Sequence, residues 1–179
     1  MNETFRLIFK DSSLRKKILF VLFVLALFRV GAAIPIPGVD AGRLASFFSG
    51  NQFFGLLNVF TGGALSNLSI LMLGVGPYIT ASIIMQLLTM IFPSLKEMYQ
   101  EEGEAGRQKF NQLSRYLSVP LAMLQGFGLL TLLNQQGILG QLTFTGQLVN
   151  VIIVTAGSLL LMWLGELITE YGIGNGVSL

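Results

Sequence analysis

The chain has no cysteine and no histidine, and only 11% of its 179 residues are charged. Those absences remove disulfides, thiol nucleophiles, imidazole bases and the usual zinc ligands at once. A charged fraction this far below the roughly 25% of soluble domains excludes an ordinary water-soluble surface. The formal net charge of +2 is too small to mark a nucleic-acid partner, so the basic residues are read for topology instead. What the chain has in abundance is apolar residues, 53% of the total, and its mean hydropathy is +0.70. These values place it in a membrane.

From Leu44 to Leu95 there is no charge at all, yet the stretch is neither one clean membrane span nor two. Ile70 to Phe92 is long enough to cross, since about 20 residues at ~1.5 Å each cover the ~30 Å hydrocarbon core. Phe53 to Ser69, FFGLLNVFTGGALSNLS, is interrupted by Asn58, Thr61, Gly62, Gly63, Ser66 and Asn67 too often for lipid exposure. Backbone of that kind at membrane depth is shielded by protein or faces a water-filled cavity. A half-span ahead of a proline-interrupted full span therefore points to a pathway through the membrane.

Four spans are predicted, at Ile18 to Ile34, Ile70 to Phe92, Leu113 to Leu133 and Val149 to Ile168. Arg6, Lys10, Arg15, Lys16, Lys17, Lys96, Arg107, Lys109 and Arg115 fall on one side, and only Arg29 and Arg43 on the other. The excess of positive charge on inner loops then puts both ends in the cytoplasm. Pro35 and Pro37 close the first span, and Asn134 to Gly146 is read as an uncharged outer loop. A signal peptide is the competing reading of the first span: a basic start, an apolar run from Ile18 to Phe28, then Gly31 and Ala33. Arg29, between that run and the cleavage position, argues against it and suits the outer end of a span.

Several groups fail as chemistry. Gly172, Gly174 and Gly176 in YGIGNGVSL do not make a phosphate loop, because the third glycine of GxGxxG would fall at Val177; a tight cytoplasmic turn is expected. Glu97, Glu101, Glu102 and Glu104 share a loop with Lys96, Arg107 and Lys109 and read as a solvated face. Glu166 and Glu170 read as interfacial carboxylates rather than a cation site. Asn67-Leu68-Ser69 fits the glycosylation pattern only by chance in this apolar context. No nucleophile, base and oxyanion donor assemble, so neither an enzyme nor a cofactor site is read.

Four stretches carry a resemblance: FRVGAAIPIPGVD (Phe28 to Asp40), NVFTGGALSNLSILMLGVGPYITASIIMQLL (Asn58 to Leu88), EEGEAGRQKFNQLSRY (Glu101 to Tyr116) and MWLGELITEYGIGNGVSL (Met162 to Leu179). In order and spacing they resemble the amino-terminal part of the SecY family, central subunits of the bacterial protein-translocating channel. The departure is Tyr171, where many relatives place a basic or polar residue. The resemblance implies an all-α polytopic membrane protein, with four transmembrane helices and a re-entrant half-helix as part of an inverted-repeat ten-helix channel. On that reading the chain stops before the fifth span.

By position, Val75 and Ile79 match residues of the family's apolar pore ring. One helical turn apart, they share a face, and aliphatic side chains at a constriction expel water and offer a passing polypeptide no hydrogen bond. Ordinary helix packing is the alternative. Phe53 to Ser66 matches the plug, in which Phe53, Phe54, Leu56, Leu57, Val59 and Phe60 would pack under the ring while Gly62 and Gly63 hinge. Thr80 and Gln125, on the second and third spans, are expected at the lateral gate toward lipid. The implied function is passage of unfolded secretory polypeptides across the bacterial cytoplasmic membrane and release of apolar segments into it. The implied partners are SecE, SecG, the SecA motor, the ribosome and signal sequences. The rival is a fragment of a small-solute secondary transporter with its broken helix at the midplane. It would bury ionisable coupling groups, and none lies in Ile70 to Phe92 or Leu117 to Leu133. A plain membrane anchor would leave the uncharged half-span without a purpose.

Overall fold

Five helices organise the residues that the computed structural model describes, which are 12–39, 44, 56, 59, 67–100, 103–139 and 143–177. They are α1 (Ser12–Ala32), α2 (Gly76–Ile91), α3 (Pro93–Gln100), α4 (Gly103–Gln135) and α5 (Phe144–Tyr171). Among the described residues α4 and α5 are long and apolar enough to cross a membrane, and the bent pair α2 and α3 makes a third span if counted as one. α1 covers the first predicted span, but Arg15, Lys16, Lys17 and Arg29 all lie within its 21 residues.

Proline sets most of the breaks. α1 closes in tight turns, Ala33 N–H to Val30 O at 3.1 Å and Ile34 N–H to Gly31 O at 3.2 Å, immediately before Pro35. Pro77 sits at the start of α2, where its missing N–H would have had no helical partner. Phe92 is extended ahead of Pro93, and there the chain turns by 113° into α3.

Two expectations are revised. The predicted span from Ile70 to Phe92 is helical only from Gly76, because residues 70–75 form successive turns. The charged connection around Glu97, Glu104, Arg107 and Lys109 is helical rather than loop, since α3 and the first turns of α4 occupy it. Those turns hold together by Tyr99 against Phe110, ring centroids 4.7 Å apart. At 33 residues α4 is about 50 Å long, more than a bilayer core requires, so its charged beginning projects past the apolar layer. The connection between α4 and α5 is correspondingly shorter than predicted, with α4 reaching Gln135 and α5 starting at Phe144.

In space the helices stand in the order α1, α5, α4, α2, with α3 against α4. α4 packs against α2, α3 and α5, while the apolar part of α5 is the more deeply buried of the two long helices. On α4 the buried positions Gly106, Phe110, Ser114, Ser118, Ala122, Gly126 and Leu130 recur every four residues. Small side chains along that row admit the neighbouring helices closely, which is how packing replaces the hydrophobic effect where the solvent is itself apolar. The serines of the row are satisfied nearby, Ser114 donating to Phe110 O at 3.1 Å and Ser118 to Arg115 O at 2.6 Å.

Candidate functional site: a broken segment seated on α5

Residues 67–75 connect the uncharged half-span to α2 and are the irregular heart of the molecule. Ile36 N–H donates to Leu68 O at 2.9 Å and Ile70 N–H to Ile34 O at 3.0 Å, an antiparallel bridge between Pro35 and Ser69. The described chain before residue 40 and after residue 66 is therefore tied together at one point. Leu68 is fully buried with a left-handed φ of 42°, a strained conformation for a leucine that its surroundings must hold. A second reversal follows at Gly74, φ 59°, where the absence of a Cβ removes that strain.

Between the two reversals the side chains divide over two cores. Leu68 and Met72 join Ile36, Leu130, Leu133, Ile138, Val151 and Val154 in one, with Leu73 against it. Leu71 joins Ala32 and Leu161 in the other, with Phe28, Val75 and Leu164 against it. Irregular backbone buried in apolar surroundings must still find hydrogen-bond partners, because each orphaned group costs several kcal/mol in hydrocarbon. Ser69 Oγ accepts Leu71 N–H at 3.2 Å, Met72 N–H reaches Ser69 O at 3.0 Å, and Gly74 N–H reaches Leu71 O at 2.9 Å. The carbonyls look to α5: Ser158 Oγ donates to Gly74 O at 2.8 Å, and the Ile70 carbonyl lies against the Cα of Gly157.

Val75 is the residue before α2, at φ −90° and ψ 5°, and its carbonyl takes the first helical bond from Ile79 N–H at 3.0 Å. Val75 is half-buried against the core of Ala32, Leu71 and Leu161, whereas Ile79, one turn along, is 43% exposed. The exposed face continues through Ile83, Leu87 and Met90. Thr80 turns its hydroxyl back on its own helix, donating to Gly76 O at 3.0 Å. Gln125 is half-buried on α4, one residue before Gly126, whose Cα is approached by Val154 and Leu73. Of the plug residues, Leu56 and Val59 are helical and exposed at 63% and 77%. Phe53, Phe54, Leu57, Phe60, Gly62 and Gly63 lie outside the described residues.

Three polar contacts escaped the sequence reading. Arg115 Nε donates to Glu166 Oε1 at 2.6 Å and pairs α4 with α5; opposite charges near the same ends of neighbouring antiparallel spans were the available signal. Asn150 Nδ2 donates to Pro37 O at 3.0 Å, and Gln147 Nε2 to Thr131 Oγ1 at 2.9 Å. The glycine turn after α5 is tight, as expected. Gly176 N–H donates to Thr169 Oγ1 at 2.9 Å, and the Cα of Gly176 packs on the Gly165 carbonyl.

The family model that matches this chain is SecY, over residues 69–179, well over half of its length. The chain belongs to the SecY family. Curated SecY relatives, each named protein translocase subunit SecY, include those of Streptomyces galbus, 47% identical over all of this chain, and Corynebacterium glutamicum, 47% identical over 96% of it. The protein of Borreliella burgdorferi is likewise 47% identical over the whole chain, α1 included. The chain spans 44% of the Streptomyces relative and 42% of the other two. Among solved structures, the fold is similar to Sec61 in a canine ribosome–channel complex from the endoplasmic reticulum. The TM-score is 0.58 at 24% identity, with 88% of this chain and 33% of that one covered. It is similar to the same degree to a structure described as that of a protein conducting channel. Those relatives carry the name of a translocase subunit, and membership in their family does not favour the transporter alternative.

Proposed function

We propose that this chain supplies one wall of a channel that passes unfolded secretory polypeptides across the bacterial cytoplasmic membrane and releases apolar segments sideways into lipid. The observation that carries the reading is the broken element itself. A helix that starts partway along an apolar stretch presents Val75 and Ile79 at its first turn, fixed on one side by two cores and open on the other along Ile79, Ile83 and Leu87. Aliphatic groups at such a mouth bar water and ions yet hold no polypeptide by hydrogen bonds. Phe53 to Ser66 is assigned to the removable plug, and the bridge between Pro35 and Ser69 that ties the chain together on either side of it suits a segment that moves without dragging α1 or α2. Thr80 and Gln125 are assigned to the lateral gate. The self-bonded Thr80 hydroxyl supports a seam with little polar adhesion, which an entering apolar segment opens cheaply.

In this reading both ends of the chain are cytoplasmic. SecE, SecG, SecA and the ribosome are the partners, with signal sequences entering at the gate. The test places Val75→Cys in a channel of the length of the curated relatives that carries this cysteine-free chain and has any cysteine elsewhere replaced. Disulfide crosslinking to a stalled secretory chain is expected there and not from Leu160→Cys, which is exposed on the outer side of α5. No crosslink from Val75→Cys or Ile79→Cys with an engaged substrate returns both residues to helix packing.

A further inference from the structure

We propose that Gly157 and Ser158 of α5 are positioning residues for the constriction: together they set the peptide plane that carries Val75. The inference rests on the channel reading and deepens it. The helical ladder of α2 begins at Val75, whose carbonyl takes Ile79 N–H. One residue earlier the Gly74 carbonyl has left the ladder, α2 has no side-chain cap, and the Ser158 hydroxyl meets that carbonyl at 2.8 Å. The Gly74 carbonyl and the Val75 nitrogen belong to one rigid planar unit. A hydrogen bond that holds the carbonyl therefore fixes the direction in which the chain enters Val75.

Gly74 is also the residue with the softest backbone in the segment, left-handed at φ 59° with nothing within 4 Å of where a Cβ would stand. No side chain opposes rotation there: the Gly74 N–H is held locally by the Leu71 carbonyl at 2.9 Å, and its own carbonyl is held from across the gap by Ser158. Gly157 supplies the other half of the clamp. The Ile70 carbonyl occupies the place where its Cβ would be, and Leu71 Cδ2 lies 3.2 Å from the same point. Consecutive residues of a straight helix thus engage both ends of the turn run 70–74, and Ser158 is itself buried at 2% exposure. A constriction that closes by contact between aliphatic groups depends on their placement to within a fraction of an ångström.

The experiment compares Ser158→Ala, Ser158→Thr and Ser118→Ala in the full-length channel, reconstituted in vesicles at matched abundance, reading resting ion leak. Ser118 is an equally buried serine whose bonds go to Arg115 and Met162 and not to residues 70–75. Ser158→Ala is expected to raise the leak several-fold, with Ser158→Thr, which keeps the hydroxyl, and Ser118→Ala near the parent. Equal leak from Ser158→Ala and Ser118→Ala would mean general loosening and overturn the proposal. So would a parental leak from Ser158→Ala in the presence of a leaking Val75→Gly, which leaves the channel reading standing. A tight Val75→Gly together with a silent Val75→Cys crosslink overturns the channel reading itself. Should Ser158→Ala not accumulate, Ser158→Cys, a weaker donor of similar shape, replaces it and is read the same way.

Discussion

Along α5 the backbone runs as one helix from Phe144 to Tyr171, whereas in residues 67–75 it bonds to Ile34, Ile36, the Ser69 hydroxyl and the Ser158 hydroxyl in turn. The two regions lie against each other in the same apolar surroundings. A regular helix closes its own bonds and needs only a matching surface; a broken one needs donors from its neighbour and room for its carbonyls. α5 therefore presents Gly157 and Ser158 where the irregular segment touches it, and valine, leucine and methionine where it meets other side chains. The regularity of the one is what permits the irregularity of the other.

The sharpest way to break this pairing is to fill the space at the contact. Gly157→Val would drive a branched side chain into the Ile70 carbonyl, which cannot move without α2, so a destabilisation of about 3 kcal/mol or more is expected. Loss of protease protection and of accumulated protein would report it. Next in size is Gly74→Ala, where space is free but φ of 59° is not, for an expected loss of about 1–2 kcal/mol. A thermal denaturation in detergent should place it clearly milder than Gly157→Val. Equal losses would mean that strain, not close approach, governs the seat.

Ser158→Ala leaves the space intact and removes only the donor, for about 1 kcal/mol by the same denaturation. The smallest effects belong to sites away from the contact. Gly128→Ala on α4, with nothing within 4 Å, is expected to be neutral or to gain up to about 1 kcal/mol from helix propensity. Glu166→Gln should cost less than ~1 kcal/mol, because Arg115 is 44% exposed and its pairing is screened. A large loss at either site would spread the stability of the fold away from the seat on which the comparison rests.

The membrane class, four apolar stretches, the stop at Pro35, a proline interruption of the second span and the resemblance to SecY are all legible in residue order. Each follows from a local cause: a proline lacks a donor wherever it stands, and an apolar run has one length whatever surrounds it. The start of α2 at Gly76 is not legible in hydropathy, since Ile70 to Val75 is as apolar as the helix that follows and hydropathy does not separate a helix from buried turns. The charged connection reads as a loop in sequence because its polarity hides α3 and the helical continuation of α4.

Residue order alone determined that a broken element exists and that Val75 and Ile79 stand a turn apart beside it. Tertiary structure decided what holds that element. The donor for Gly74 lies 84 residues away, the surface for Ile70 is defined by a side chain that Gly157 lacks, and Thr80 spends its hydroxyl on its own helix instead of reaching across to a neighbour. Hydrogen bonds and close approaches of this kind belong to pairs of segments, and no segment carries in its own composition the identity of the partner that will satisfy it.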